Sequence, residues 1–335
     1  MIKELIKKHY GITVKDYSKL SLGAGSNTYR VSDINGYEYL LKNTNINEAN
    51  NPQNEPKLCE HLCSKGISVS EFIKDINGEF VWYEQGKIYH MQKFVSGENY
   101  GMHSAPCWLM EEIPKTLGKI HTALTDYDAL PVGIGDNFFK YMTPNAALQS
   151  YRKSYEFAVE NSHKNVADDL LYRIKLMESF SVPEIDLSKL TLSNTHGDYF
   201  ISQIICTDKK IAAVIDWTTA CIHPVVWEII RSYIYSCPDC KDGNIDIPNM
   251  VEYTGNYMKY ASLNKDDLKM MPYIFYYQIS VCDYYNQYFS SSADNRYIYL
   301  EQAILSTKLM KWFERYAEDL SASLSNLKLK LHFCM

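Results

Sequence analysis

The chain has 335 residues, which predicts two domains of about 150 residues each or one domain with a large insertion. Hydrophobic residues make up 46% and charged residues 22%, so the chain can build a core without disulfides or structural metals. The net charge of −6 argues against a nucleic-acid partner, which requires a basic face.

Membrane and secretion signals are not visible. No stretch reaches the roughly 18 apolar residues of a membrane span, and residues 1–10 are charged throughout, unlike a signal peptide. The nine cysteines follow no framework spacing. We therefore expect a cytoplasmic protein with reduced thiols and no membrane partner.

One short cysteine pair lies in Cys237-Pro238-Asp239-Cys240. A zinc site would need two further ligands at matching spacing, and Cys59 and Cys63 instead fall on one face of a predicted helix. A redox motif would need a strand before it, whereas a helical pattern precedes this pair. The spacing therefore favours neither site.

The first hundred residues are patterned mostly as short strands. A glycine turn separates the first two strands, and Asn35-Gly36 is a hairpin signal before the third. A helix is predicted over residues 54–65, where Gly66 ends it. The strands are predicted over 14–22, 27–32, 37–42, 79–83 and 87–94.

After Gly97 the hydrophobic period becomes that of helices, interrupted by strands over 203–206 and 211–215. The change of period predicts a strand-rich lobe over residues 1–95 and a mostly helical lobe over residues 96–335. The helices are predicted over 106–124, 144–161, 165–180, 224–235, 248–261, 272–289 and 295–320.

The most informative segment is His196-Gly197-Asp198, with Gln203 five residues later and Asp216 at the end of an apolar strand. Phosphoryl transfer needs one carboxylate to orient a hydroxyl and accept its proton. It also needs a second carboxylate and an amide to hold Mg²⁺ against the phosphates. A single aspartate would favour a turn cap, but two carboxylates with an amide around one strand pair predict this chemistry.

His196-Gly197-Asp198 and Ile215-Asp216-Trp217 resemble the H-G-D-x-x-x-x-N loop and I-D-[WF] strand end of the aminoglycoside phosphotransferase and choline kinase family. The resemblance extends through most of the chain. It implies an α+β, bilobal protein-kinase-like fold, with a small antiparallel-sheet N-terminal lobe for nucleotide and a large, mostly helical C-terminal lobe for catalysis and acceptor.

The resemblance also implies an activity, the Mg²⁺-dependent transfer of phosphate from ATP or GTP to a hydroxyl group. The acceptor would be a small-molecule alcohol of the aminoglycoside, choline, amino-alcohol or sugar type. Asp198 would be the catalytic residue, and Gln203 and Asp216 would hold the metal.

Two segments resemble the family's nucleotide-binding parts. In the loop around Gly23, Gly25 and Ser26, glycines let the backbone approach phosphates, to which N–H groups and the serine can donate. The segment containing Gln92 and Phe94 resembles the hinge between lobes, whose backbone would bind the purine.

Lys42 ends an apolar strand, where the family keeps its phosphate-binding lysine. Glu55 resembles the glutamate that orients this lysine by an ion pair. Pro56 complicates the assignment because proline belongs in the first turn of a helix. Glu60 is therefore the alternative partner.

Several residues depart from the family pattern. Gln203 stands where the family has asparagine, and its extra methylene adds about 1.5 Å, although Mg²⁺ demands near-ideal geometry. Residues 199–202 lack the small, proline- or glycine-bearing stretch common in the family. Glu228 replaces an aspartate, and we interpret it as structural, together with His121.

The acceptor site is the least defined part of the sequence. Asp283 and Tyr277, within a cluster of late tyrosines, and Trp217 beside Asp216 could hold an ammonium group by charge and cation–π contacts. The same tyrosine spacing also suits a packed helix face, which is the simpler interpretation.

Two function classes stay open. Asp198, Asp216 and Lys42 favour an enzyme, whereas Gln203 favours a kinase-like protein that binds nucleotide or a partner without turnover, by analogy with the family's spore-coat relatives. A protein kinase is disfavoured because the short segment from Asp216 to Pro224 leaves no activation segment to dock a peptide. The sequence does not identify the acceptor, distinguish ATP from GTP as the phosphoryl donor, or give the oligomeric state.

Overall fold

The computed structural model describes residues 2–20, 26–46, 51–292 and 296–327. The described strands are β1 (Val14–Leu20), β2 (Ser26–Asp33), β3 (Glu38–Asn45), β4 (Phe72–Ile73), β5 (Val81–Glu84), β6 (Lys87–Lys93), β7 (Glu98–Asn99), β8 (Leu192–Thr195), β9 (Ile204–Thr207), β10 (Lys210–Val214) and β11 (Cys221–Pro224).

The described helices range in length from six residues in α4 to thirty in α11. They are α1 (Ile2–Tyr10), α2 (Asn54–Ser64), α3 (Cys107–Ala123), α4 (Asp136–Tyr141), α5 (Pro144–Glu160), α6 (Lys164–Glu178), α7 (Val225–Ser236), α8 (Ile247–Tyr257), α9 (Lys265–Val281), α10 (Tyr284–Ser290) and α11 (Arg296–Ser325).

The chain divides into two compact units, unit 1 with residues 1–99 and 203–220 and unit 2 with residues 100–202 and 221–335. The sequence pattern instead predicts one boundary after residue 95. Residues 203–220 lie in unit 1 because β9 pairs with β7 and Val214 of β10 bridges Val69. Strand pairing across a long sequence separation is invisible to local period.

Unit 1 contains two antiparallel sheets. The larger has the order β1-β2-β3-β6-β4, with β5 also paired to β6. The predicted hairpin at Asn35-Gly36 joins β2 and β3, where Asp33 accepts hydrogen bonds from the backbone N–H groups of Asn35 and Tyr37 at 2.8 and 2.9 Å. The smaller sheet has the order β7-β9-β10.

The core of unit 1 includes a helix that the strand pattern did not predict. Ile6 of α1 is completely buried and packs against one face of the larger sheet. Its apolar and charged residues alternate with helical spacing, which buries one side and exposes the lysines. The buried residues of this cluster are Ile6, Val14, Val31, Leu41, Trp82, Tyr89 and Met91.

Unit 2 is mostly helical and centres on α7, where Arg231 alone of its twelve described residues is not fully buried. Helix α7 contacts α3, α8 and α9, and α11 contacts α9 and α10. Strands β8 and β11 pair antiparallel, with Thr195 opposite Cys221. This pairing places the loop after β8 beside the start of α7.

The predicted helix over residues 272–289 is wrong in its bounds, because two helices occupy this region. Helix α9 begins earlier, at a capping box in which Asn264 and Asp267 each accept from the other's backbone N–H. Pro272 lies inside α9. The helix stops before Asp283, which caps α10 by accepting from the Asn286 N–H at 2.9 Å.

Among the described helices, none combines the length and apolar character required to cross a membrane.

Candidate active site

Glu228 of α7 fixes the backbone of the loop that precedes Asp198. Its carboxylate accepts hydrogen bonds from the His196 N–H at 3.2 Å and the Gly197 N–H at 2.6 Å. His121 of α3 binds the same carboxylate through Nε2 at 2.9 Å. Gly197 has φ +81°, a conformation that glycine adopts without strain. The chain therefore turns sharply at Gly197 and presents Asp198.

Glu228 is completely buried, yet it is held in its charged form. Burial opposes ionisation, but the hydrogen bond from His121 and the charges of His121, His196 and His223 outweigh it and lower the pKa of Glu228 to about 2. Because all of these partners must be in place to compensate the buried charge, the charged form is stable in one arrangement of the backbone. We conclude that Glu228 is the structural anchor of the loop.

Arg231, one turn after Glu228, binds the side chain of Asp198. Its Nη2 donates to Asp198 Oδ1 at 2.5 Å. The guanidinium lies 5.1 Å from the Phe200 ring centroid, 4.8 Å from that of Tyr235 and 5.5 Å from that of Trp227. The stacked rings restrict the guanidinium. One helix thus binds both the backbone and the carboxylate of the loop.

Residues 199–202, which depart from the family pattern, anchor the other end of this loop. Tyr199 is completely buried, and its hydroxyl donates to the Ile113 carbonyl at 3.0 Å. The Ile201 N–H donates to Ser236 Oγ at 3.1 Å. The bulky residues therefore hold the loop in unit 2 by side-chain packing, in place of a proline- or glycine-shaped backbone.

In unit 1, three charged residues of the predicted site influence one another. Lys42 lies on β3, Glu55 in the first turn of α2 and Asp216 directly after β10. Burial raises the pKa of Glu55, the Lys42 charge opposes this rise and the Asp216 charge adds to it. Glu55 Oε1 also accepts from the Trp217 N–H at 3.1 Å.

The alternative partner for Lys42 lies elsewhere. Glu60 is exposed and accepts a hydrogen bond from Lys74 Nζ at 2.7 Å. Proline at the third residue of α2 leaves Glu55 buried at the start of the helix, where it meets the segment after β10. The geometry of unit 1 therefore favours Glu55 over Glu60.

A buried histidine beside Lys42 was not predicted. His90 of β6 is directly opposite Lys42 in the strand register. Burial and the Lys42 charge lower the pKa of His90 to about 3, so its imidazole is neutral at pH 7. His90 Nε2 is buried without a hydrogen-bond partner among the residues that the structure describes. Only the strand register, not local sequence, could have paired it with Lys42.

Gln203 and Asp216 lie at the same end of one hairpin. Val214 pairs with Ile204, and the Ile215 N–H donates to the Gln203 carbonyl at 2.9 Å. Asp216 is exposed in a left-handed conformation, φ +64°, and accepts from Thr218 Oγ1 at 2.9 Å. An amide and a carboxylate supply the oxygen ligands that Mg²⁺ prefers.

No group of three or more histidine, cysteine or carboxylate side chains that could hold a metal occurs within the described ranges. Mg²⁺ is usually bound through one or two carboxylates and completed by waters and phosphates.

Of the predicted nucleotide-binding residues, Gly23 and Gly25 lie outside the described residues, and Ser26 begins β2 opposite Thr44. Gln92 is buried on β6. The Phe94 N–H donates to the Glu38 carbonyl at 3.0 Å, so it already has a partner within unit 1. A purine contact through the Phe94 N–H would require that bond to break.

The three residues expected to contact the acceptor all have structural partners. Trp217 is 2% exposed, and its indole N–H donates to the Val214 carbonyl at 3.1 Å. The Tyr277 hydroxyl donates to the Met142 carbonyl at 2.9 Å. Asp283 is buried and, besides capping α10, accepts from two serine hydroxyls. Each polar group thus already has a packing partner, and the acceptor role stays a prediction.

Glu228 provides a test of the loop anchor. The pKa of Glu228 lies below its ordinary value of 4.5, so ionisation stabilises the fold above about pH 5, and this contribution is lost as the pH falls through the folded pKa. Glu228→Gln should lower the unfolding free energy at pH 7 by about 3 kcal/mol. The deficit should shrink at pH 3 in urea unfolding.

The matched control is Glu178→Gln, which removes an exposed carboxylate paired with Arg152. We expect a change within about 0.5 kcal/mol at both pH values. A Glu228→Gln deficit that is equal at pH 7 and pH 3 would contradict the charged anchor.

The model of the phosphotransferase enzyme family (APH) matches residues 16–244. Similar solved structures include an amicoumacin kinase, at 14% identity over 92% of each chain with a TM-score of 0.64. A spectinomycin phosphotransferase has 15% identity over 98% of this chain and 97% of its own, with a TM-score of 0.55.

A microcompartment-associated aminopropanol kinase has 13% identity over 96% of this chain and 99% of its own, with a TM-score of 0.60. No curated protein sequence matches the chain. At these identities the structural similarity shows the fold, and the family model covers more than half of the chain. The chain therefore belongs to the phosphotransferase enzyme family and has an α+β, protein-kinase-like fold.

Proposed function

We propose that this protein transfers the γ-phosphoryl group of ATP or GTP to the hydroxyl of a small-molecule alcohol, with Mg²⁺. The observation that carries the proposal is the fixed position of Asp198. Glu228 binds the backbone of its loop, and Arg231 binds its carboxylate. Phosphoryl transfer depends on positioning and charge more than on covalent chemistry, so a carboxylate held in one orientation suits it.

Asp198 would orient the acceptor hydroxyl and take up its proton. The Arg231 contact at Oδ1 restrains the carboxylate. In this role Arg231 is a positioning residue, because it acts through Asp198.

The residues of unit 1 would hold the donor. Lys42 would bind phosphate, with Glu55 orienting the ammonium group, and Glu55 is itself anchored by the Trp217 N–H. Gln203 and Asp216 would hold Mg²⁺, which when bound neutralises phosphate charge. Nucleotide binding is supported by two similar structures, which contain AMP-PNP with Ca²⁺ and ADP, respectively.

The acceptor would come from a broad class. The similar proteins are named for amicoumacin, spectinomycin and aminopropanol, which are three different acceptors. We infer an aminoglycoside, choline, amino-alcohol or sugar type of alcohol. The net charge of −6 suits a cationic small molecule and opposes nucleic acid.

A cytoplasmic location is part of the proposal. The eight cysteines within the described residues are all free thiols. Free thiols in this number suit a reducing compartment.

Gln203 is the one observation that favours the alternative, a kinase-like protein that binds nucleotide or a partner without turnover. Its longer side chain reaches about 1.5 Å further than asparagine. If Mg²⁺ does not tolerate this reach, nucleotide binding would persist without metal dependence.

Metal-dependent nucleotide binding separates the two candidates. ATP or GTP with Mg²⁺, at about 100 times Kd, should stabilise the native state by about 2.7 kcal/mol and raise Tm by several degrees. Asp216→Asn should abolish the Mg²⁺-dependent part of the shift. Asp208→Asn, at the exposed turn of the same hairpin with φ +51°, should keep it.

A thermal shift that ignores Mg²⁺ in the unmodified protein would support the alternative. No shift with either nucleotide would contradict the phosphotransferase and the nucleotide-binding form of the alternative. An acceptor screen over aminoglycosides, choline and amino alcohols follows a positive result.

Asp198→Asn should reduce turnover at least about 100-fold, because the amide cannot take up the hydroxyl proton. The nucleotide-induced thermal shift should remain. Asp168→Asn, which changes an exposed carboxylate of α6, should retain full turnover in the same assay. Turnover near that of the unmodified protein in Asp198→Asn would refute its catalytic assignment.

Arg231→Met should lower kcat about 10- to 100-fold with little change in the KM for nucleotide, because a loosened carboxylate loses its alignment. Arg231→Lys should recover part of kcat, since it restores charge without the planar fork. Arg152→Met, which removes an exposed arginine of α5, is the matched control. An unchanged kcat in a folded Arg231→Met variant would rule out the positioning role.

A further inference from the structure

A pocket in unit 2 contains none of the residues assigned to phosphoryl transfer. Its volume is about 390 Å³, and Cys237, Tyr233 and Tyr253 lie in its wall. Cys107 and Met110 of α3 line another side. The pocket therefore places a cysteine from the sequence Cys237-Pro238-Asp239-Cys240 against a space large enough for a small molecule.

The two cysteines of this sequence lie within reach of each other. The Cys240 N–H donates to the Cys237 carbonyl at 3.2 Å, which closes a turn at the start of the short 3₁₀ segment Pro238–Asp242. In such a turn the side chains of residues i and i+3 lie one above the other. The Cα atoms of a turn lie less than about 7 Å apart, which is close to the range a disulfide spans.

The local electrostatics make the two thiols unequal. The Cys240 thiol lowers the pKa of Cys237 to about 6, helped by the Asp239 N–H and the Tyr233 hydroxyl and opposed by burial. The same contact, together with burial, raises the pKa of Cys240. Cys237 is thus the nucleophilic member and Cys240 the proton-bearing member of the pair.

The Tyr233 hydroxyl lies beside the Cys237 sulfur. Tyr233 is 1% exposed and lines the pocket, and its hydroxyl bonds to the Cys237 side chain. A donor at the sulfur stabilises the thiolate, which is the form of cysteine that reacts with oxidants.

The charge of the pocket restricts that ligand. Glu111, Asp239 and Glu252 contribute three carboxylates to its lining, and none of the described residues that line it is a lysine or arginine. This potential disfavours anionic oxidants such as glutathione disulfide. It leaves small neutral oxidants, among which hydroperoxides oxidise a thiolate directly.

We propose that Cys237 and Cys240 are a hydroperoxide-reactive thiol pair that closes to an intramolecular disulfide. The Cys237 sulfur attacks one peroxide oxygen, the O–O bond breaks, and the thiol proton leaves with the alcohol or water product. Cys237 is thereby oxidised to a sulfenic acid and the peroxide is reduced. The Cys240 sulfur then attacks the Cys237 sulfur, and the S–S bond forms as water leaves with the Cys240 proton.

The pair adjoins an anchor of the Asp198 loop. Ser236, which accepts the Ile201 N–H, directly precedes Cys237, and the Cys237 N–H donates to the Tyr233 carbonyl of α7 at 2.8 Å. Closing the disulfide would reshape the turn that ends α7. The expected consequence, slower turnover of the oxidised protein, rests on the proposed function, whereas the thiol chemistry does not.

The test uses the full chain and measures thiols by mass. Stoichiometric hydrogen peroxide should lower the mass of the peptide containing Cys237 and Cys240 by about 2 Da, because a disulfide forms. This reaction should be at least about ten times faster than the oxidation of exposed Cys107. Glutathione disulfide at the same concentration should react more slowly. Oxidation of Cys107 first, or a pair that stays reduced, would overturn the proposal.

Three variants sharpen this result. Cys240→Ser should stop the reaction at a sulfenic acid on Cys237, detected with dimedone. Cys63→Ser, which changes a partly exposed cysteine of α2 outside the pocket, should leave disulfide formation unchanged. Tyr233→Phe should slow oxidation severalfold, because it removes a hydroxyl that helps to lower the pKa of Cys237. Unchanged oxidation in a folded Tyr233→Phe protein would contradict the role of the hydroxyl, and disulfide formation without any effect on turnover would contradict only the coupling.

Discussion

The buried Glu228 carboxylate is the interaction on which the loop of Asp198 depends. A charge removed from water is stable only when its partners replace the lost hydration. Here the partners are backbone N–H groups of His196 and Gly197 and the imidazole of His121. These partners lie in the loop after β8 and in α3, both distant in sequence from α7. Compensating the charge therefore holds the loop, α3 and α7 together. Arg231 becomes useful only after this assembly, because it then meets a carboxylate whose backbone is already fixed.

Unit 1 treats its buried carboxylate differently. Glu55 is nearly as buried as Glu228, but burial and the Asp216 charge outweigh Lys42 and raise its pKa. The contrast follows from the number of partners, since Glu55 accepts one described backbone hydrogen bond, from Trp217. A group whose charge is incompletely compensated is more responsive to further ligands. A cation bound near Asp216 would lower the field at Glu55, which links the proposed metal site to the proposed lysine partner within one unit.

The residues that the reaction chemistry requires could be predicted from local sequence, whereas residues that meet only through tertiary packing could not. The positions of Asp198 after a glycine turn and of Asp216 after an apolar strand follow from local pattern, and the family assignment is confirmed. Arg231 was missed because its partner is 33 residues away, although its i, i+3 spacing from Glu228 places both on one helix face. The acceptor role of Tyr277 and Asp283 stays a prediction. Both side chains also bond to carbonyl or hydroxyl groups of distant elements, which local sequence could not show. Local period likewise could not divide α9 from α10, since apolar spacing continues across the break.

Helix α7 connects these observations through burial. Nearly all its residues are buried and closely packed. The helix is therefore rigid, and a displacement at one end is transmitted to the other. Its first turn carries Glu228, its middle carries Arg231, and its last residue Ser236 binds the segment after Asp198. Cys237 follows immediately and caps the helix through the Tyr233 carbonyl. A covalent change at Cys237 would therefore reach the loop along a rigid element, because both ends of that loop are bound to the same helix. The physical requirement is a small shift of Ser236, since the Ile201 hydrogen bond of 3.1 Å has little tolerance for lengthening.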